Sequence, residues 1–207
     1  MKKITIIGTG YVGLVSGAGL ADFGNDVTCL DINLERIKIL LEGKIPFFEP
    51  GLSELVERNV DAKRLHFSTD FNKSINESEV IFIAVGTPMN SSGKSDITAV
   101  KKVAIDIAQN ISSSKVVAIK STVPIGTCVE LESLINSKLK KNVNVHVVSN
   151  PEFLREGAAV RDFLIPDRVV IGSSSKISVE IMKEVYRPLF LNETPQIITN
   201  LSTAETI

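Results

Sequence analysis

Ile4-Thr5-Ile6-Ile7-Gly8-Thr9-Gly10-Tyr11-Val12-Gly13 is a β-branched apolar run that turns through Gly-x-Gly-x-x-Gly into a second apolar stretch. After a helix-sized interval the chain extends again as Val27-Thr28-Cys29-Leu30 and ends in Asp31. Strand, glycine turn, helix, strand and acid in that order predict a dinucleotide-binding βαβ unit. Each part has a physical task. Gly8 permits a tight turn, and Gly10 lets the backbone approach a pyrophosphate with no Cβ between them. Gly13 lets the helix pack close on the strand, and the free N–H groups of the helix N-terminus, around Tyr11 and Val12, attract phosphate charge. Asp31 can accept both hydroxyls of an adenosine ribose and would repel a 2′-phosphate, which points to NAD rather than NADP.

Outward from this unit the chain alternates. Apolar β-branched runs recur at 4–7, 27–30, 65–68, 80–85, 116–119, 145–148, 169–171 and 197–198. Helical patterns separate most of them, at 11–23, 34–41, 52–59, 97–111, 127–139 and 178–186. This alternation predicts an α/β fold: Rossmann-like, doubly wound, a mostly parallel sheet with helices on both faces. The longest irregular stretches, Gly43–Gly51 and Met89–Asp96, are of the length that forms sites. Gly93-Lys94-Ser95 resembles the end of a phosphate-binding P-loop, but Pro88 stands where that pattern needs its first glycine.

Basic and acidic residues balance at 23 against 24, so no electrostatic footprint for nucleic acid or an anionic membrane is present. No apolar run approaches the ~20 residues of a membrane span, and Met1-Lys2-Lys3 leads straight into the first strand without a signal peptide. A cytoplasmic protein is expected. Cys29 reads as a small core residue. Cys128 falls in the opening turn of a helix, where a thiol can be activated, although a packing role is the stronger reading. Neither cysteine lies in a metal-binding pattern, and no metal is expected.

Three strands end in similar chemistry. The run 80–85 leads into Gly86-Thr87-Pro88, 116–119 into Lys120-Ser121-Thr122-Val123-Pro124, and 145–148 into Ser149-Asn150-Pro151-Glu152. Ser, Thr and Asn before Pro are also ordinary turn and cap chemistry. Ligands of open α/β sheets bind beyond the carboxyl ends of the strands, however, and three such exits on one edge predict a continuous site. Glu152 and Glu156 are four residues apart. On a helix they would share a face and form an acid/base pair, or else a solvated acidic face balanced by Arg155 and Arg161.

Six ordered motifs carry a resemblance. They are Gly8–Leu14, Pro46-Phe47-Phe48-Glu49-Pro50-Gly51-Leu52, Val85–Pro88, Ser121–Pro124, Asn150–Gly157 and Pro166–Gly172. Over its whole length the chain resembles the N-terminal half of the UDP-glucose/GDP-mannose dehydrogenases, the UDP-glucose branch most closely. That family oxidises a sugar's primary alcohol twice with two NAD and water. The resemblance implies that the glycine loop, Asp31, Arg36, Val85, Gly86, Thr87 and Thr122 lie along NAD. It implies that Thr122 and Glu156, assisted by Glu152, handle a catalytic water, and that Glu152, Phe153, Leu154, Arg155 and Glu156 meet the nucleotide-sugar. A homodimeric full-length protein is implied as well. In the family, Ser202–Ile207 is followed by a lysine, an asparagine and, later, a nucleophilic cysteine whose motif Cys128 does not match. The expectation is therefore a cofactor domain over 1–192, with 193–207 opening a truncated central helix region, inactive by itself. GDP-mannose dehydrogenase, a non-catalytic nucleotide-binding module and, less well matched, a methyltransferase are the alternatives.

Overall fold

Successive residues of a strand face opposite ways, and in the central strands of this chain both sets are apolar. Val80 and Phe82 enter one core, while Ile81 and Ile83 enter another; Val116 and Ala118 separate from Val117 and Ile119 in the same way. Such strands are stable only when both faces of the sheet are covered. The computed structural model, which describes residues 1–207, has that architecture.

The strands are β1 (Lys3–Ile7), β2 (Asp26–Leu30), β3 (Leu65–Ser68), β4 (Val80–Ile83), β5 (Lys115–Ile119), β6 (Val145–Ser149), β7 (Val169–Gly172) and β8 (Gln196–Thr199). The helices are α1 (Tyr11–Asp22), α2 (Leu34–Leu41), α3 (Leu52–Asp61), α4 (Phe71–Glu77), α5 (Thr98–Asn110), α6 (Thr127–Asn136), α7 (Ala159–Leu164), α8 (Lys176–Val185) and α9 (Leu201–Ala204). A 3-10 turn spans Arg187–Asn192. Residues of α1, α2, α3, α7 and α8 build one core, and those of α4, α5, α6 and α9 build the other. No helix is long and apolar enough to cross a membrane.

All eight strands form one sheet in the order β3-β2-β1-β4-β5-β6-β7-β8. The chain works outward from β1 in one direction, then returns to place β4 on its other side. The crevice at that reversal is where doubly wound sheets take their ligands. β1 to β6 are parallel, so their exits share one edge. β7 meets β6 only at Ser149 opposite Gly172, and runs antiparallel to it. It therefore lies beside the residues that follow β6 rather than beside β6 itself. β8 pairs in parallel with β7, so residues 193–207 hold the eighth strand of the sheet and the four-residue α9.

Two short helices, α4 and α7, lie outside the sequence expectation, since seven and six residues show too few turns to establish a period. The helix expected to hold Glu152 and Glu156 on one face does not form. Residues 151–155 carry no helix, and residues 156–158 are a turn in which Gly157 has φ +85°. Glu152 Oε2 accepts from the backbone N–H of Leu154 at 2.5 Å, which closes a local turn in competition with helix.

Candidate functional site

The glycine turn has the geometry its sequence demands. Gly8 sits at φ +101°, and a Cβ there would lie 2.7 Å from the Ala84 carbonyl oxygen. A Cβ on Gly13 would lie 1.8 Å from the Gly8 carbonyl oxygen, so α1 rests directly on the turn. At Gly10, by contrast, a Cβ would meet nothing within 4 Å. That open side is the approach a pyrophosphate needs. No side chain caps α1 and no acid lies in its first turn, which leaves the helix N–H groups and dipole to an anion. A cleft of about 490 Å³ extends from Gly8 and Gly10 to Asp31 and Arg36, with Leu30, Phe71, Val85 and Val103 among its walls. Apolar walls with a carboxylate at one end suit an adenosine. The residues present fit a dinucleotide.

Asp31 also has a second task. Its Oδ2 accepts from the N–H of Thr9 at 2.8 Å and from the Thr9 hydroxyl at 2.7 Å, while Oδ1 accepts from the N–H of Asn33 at 2.9 Å. Arg36 Nη1 stands 3.4 Å from Oδ2. Burial opposes ionisation of this carboxyl, yet the donors and the Arg36 charge together hold it below its ordinary value. Asp31 thus ties the end of β2 to the glycine turn as well as facing the cleft.

The neighbouring exits are joined to each other. Thr87 Oγ1 donates to the Thr122 carbonyl oxygen at 2.8 Å, and Ser121 Oγ donates to the Val85 carbonyl oxygen at 2.6 Å. Val85, Gly86, Thr87 and Thr122 therefore lie side by side at the ends of β4 and β5, with Thr122 exposed.

Beyond β6, Asn150 is buried and fully engaged. Its Nδ2 donates to the Val170 carbonyl oxygen at 2.7 Å, and its Oδ1 accepts from the Tyr186 hydroxyl at 2.7 Å. Lys120 Nζ, at 3.4 Å from the same Oδ1 and 5.8 Å from the Phe163 ring, is buried with few partners. Burial lowers its pKa to about 8, with the Glu152 charge opposing the shift. Glu152 is half-buried in the loop, Glu156 is exposed in the following turn, and the common face predicted for them is absent. Phe153 packs under the Arg168 guanidinium at 4.5 Å. The Arg155 guanidinium is held by both oxygens of Asp162, at 3.0 and 2.7 Å.

Four residues that matter here escaped the sequence reading: Thr9, Glu49, Lys120 and Asp162. Glu49 lies in the long Gly43–Gly51 stretch, which was one signal, and Lys120 opens a strand-exit motif. Thr9 and Asp162 had no local signal. Both cysteines are buried and free. Burial pushes the Cys29 thiol up to about 12. The Cys128 thiol is also pushed up, by burial first and then by Glu205, so the helix-terminus activation considered for Cys128 does not occur. Glu205 accepts from the N–H groups of Gly126 and Cys128, each at 2.6 Å, and neutralises that terminus.

Residues 2–190 match the model of the UDP-glucose/GDP-mannose dehydrogenase family, NAD binding domain. A UDP-glucose 6-dehydrogenase of Rhizobium meliloti is 50% identical over 99% of this chain and 47% of its own length. A UDP-glucose dehydrogenase from Pyrobaculum islandicum superposes with a TM-score of 0.94 at 32% identity, covering 100% of this chain and 48% of that one. A GDP-mannose dehydrogenase from Pseudomonas aeruginosa, solved as a ternary complex, gives 0.92 at 35% identity, covering 99% and 48%. The chain spans about half the length of the relatives it matches. With the glycine turn, the acid-ended second strand and the joined strand exits in place, this chain belongs to the UDP-glucose/GDP-mannose dehydrogenase family and is its NAD-binding domain.

Proposed function

We propose that this domain serves an NAD-dependent oxidation of UDP-glucose to UDP-glucuronate in the whole protein. The observation that carries the reading is the shared edge: the dinucleotide cleft, the Thr87–Thr122 contact and the Asn150–Gly157 loop follow one another along the exits of β1, β4, β5 and β6. NAD with its nicotinamide at the reacting centre and a nucleotide-sugar beside it would together span that sequence of groups. Bound NAD supplies the hydride acceptor.

The chain's own residues would then divide the work. Gly8, Gly10, Tyr11, Val12 and Gly13 receive the pyrophosphate, and Asp31 and Arg36 the adenosine ribose. Val85, Gly86, Thr87 and Thr122 flank the reactive end. The exposed Thr122 hydroxyl and the Glu156 carboxylate orient a water, with Glu152 assisting, while Phe153, Leu154 and Arg155 meet the nucleotide-sugar. Arg155 is already aligned by Asp162, which favours a fixed rather than a searching contact. The same proposal includes a homodimer in the cytoplasm, where two buried free thiols suit a reducing compartment. It also treats 193–207 as the lead into a central helix region.

The cofactor reading is tested by calorimetric titration of this chain with NAD and NADP. NAD is expected to bind at least about tenfold more tightly, because Asp31 accepts ribose hydroxyls and repels a 2′-phosphate. D31S should narrow that gap. Equal or tighter NADP binding by the wild-type chain would remove the role given to Asp31. GDP-mannose is the alternative substrate, supported by the 0.92 superposition on the Pseudomonas aeruginosa enzyme. Turnover of each sugar nucleotide by the whole protein separates the two.

A further inference from the structure

Glu49 is only 5% exposed, yet its carboxylate is satisfied by neutral donors alone. Oε2 accepts from the Tyr11 hydroxyl at 2.5 Å and from the N–H of Gly157 at 2.8 Å. Oε1 accepts from the N–H of Ala159 at 2.8 Å. Burial disfavours the ionised form, but these donors outweigh it and hold the carboxyl below its ordinary value. The donors come from two separate parts of the site. Tyr11 is the first residue of α1, next to Gly10 in the dinucleotide turn. Gly157 and Ala159 end the loop that carries Phe153, Leu154, Arg155 and Glu156.

The surroundings favour this one arrangement. The Phe47 ring lies 5.3 Å from the Tyr11 ring, and the Tyr11 hydroxyl also reaches the Arg155 carbonyl oxygen at 3.4 Å. Gly51 at φ +77° and Gly157 at φ +85° lie in turns beside this contact, in the left-handed region that favours glycine. Neutral donors in a buried setting bind a carboxylate strongly but compensate its lost hydration only when all of them are in place. Loosening one end therefore weakens the other.

We infer that Glu49 is a positioning residue: its carboxylate fastens the 155–159 loop to the first turn of α1, so that filling the dinucleotide turn steadies the loop next to it. The fastening stands on geometry alone, whereas the coupling rests on the NAD reading above. A phosphate on the N–H groups around Tyr11 orders that turn. Tyr11 then holds Glu49 in one orientation, and Glu49 holds Gly157 and Ala159. Coupling of this kind needs no change of shape, only a change in freedom, and it acts equally in both directions.

Amide hydrogen exchange at Gly157 and Ala159, read by NMR with and without NAD, tests the inference on this chain. E49Q presents an amide where a carboxylate accepted, and exchange at these two positions should rise about ten- to hundredfold. Y11F removes one donor, keeps the ring, and should give a smaller rise. NAD should slow both amides in the wild-type chain and fail to do so in E49Q, a response that packing alone would not produce. If E49Q does not fold, Y11F carries the same comparison. Wild-type exchange rates in the variant, or wild-type rates indifferent to bound NAD, would overturn the inference. A wild-type chain that does not bind NAD at all overturns the cofactor reading and the coupling together. The fastening is then decided by the exchange rates without NAD.

Discussion

Lys120 carries its amine where water does not reach, at the exit of β5, with one long contact to Asn150 and an aromatic ring nearby. Its folded pKa of about 8 lies below the 10.5 of the free side chain. Between those values the unfolded chain holds a proton that the folded chain has released, so stability should rise with pH across that window and reach its plateau above 10.5. Below pH 8 the full cost is present, on the order of 3 kcal/mol. K120M keeps the stem and removes the charge. Urea unfolding should find it more stable than wild type at pH 7, with the difference shrinking towards pH 10. A variant less stable than wild type at pH 7 would mean that the amine is better satisfied than its contacts indicate. Asp31 is the opposite case: a charged group at a strand end with donors on both oxygens, recognisable from sequence because its position relative to the glycine turn is local.

Among the elements, α1 and the loop after β6 differ in how far their own residues determine them. The closeness of α1 to the turn is written in the glycines, and two substitutions should separate its two consequences. G13A puts a Cβ 1.8 Å from a backbone oxygen, so helix and turn must part; stability should fall by about 1–3 kcal/mol and NAD binding with it. G10A meets nothing in the protein and should leave thermal stability unchanged, while weakening NAD by intruding on the pyrophosphate's approach. Thermal unfolding and calorimetry on both variants check this, and a stable, NAD-binding G13A would contradict the packing. The 150–158 loop behaves differently. Its Glu-x-x-x-Glu spacing reads as helix, but Asn150 is held to β7 and Gly157 to Glu49, and those distant partners, with the local Glu152–Leu154 contact, keep the segment out of a helix.

For the whole molecule, the two cysteines bear on what chemistry is expected of this chain alone. Both are buried, and both thiols are pushed above their ordinary value. Incubation with UDP-glucose and NAD should give no sustained rise in NADH absorbance; sustained production of two NADH per sugar would force a reassessment of Cys128. The doubly wound fold and the dinucleotide turn were legible in the residues themselves, because apolar period, glycine placement and the strand-ending acid act over a few neighbours. So was the edge that carries Val85, Thr87 and Thr122, since parallel strands must bring their exits together. Tertiary structure alone decided the antiparallel entry of β7, the pairing of Arg155 with Asp162, the burial of Lys120 and the role of Glu49. Glu49 and Ala159 are separated by 110 residues. A hydrogen bond over that distance leaves no period or spacing in the chain, and exists only because the sheet carries both ends to the same place.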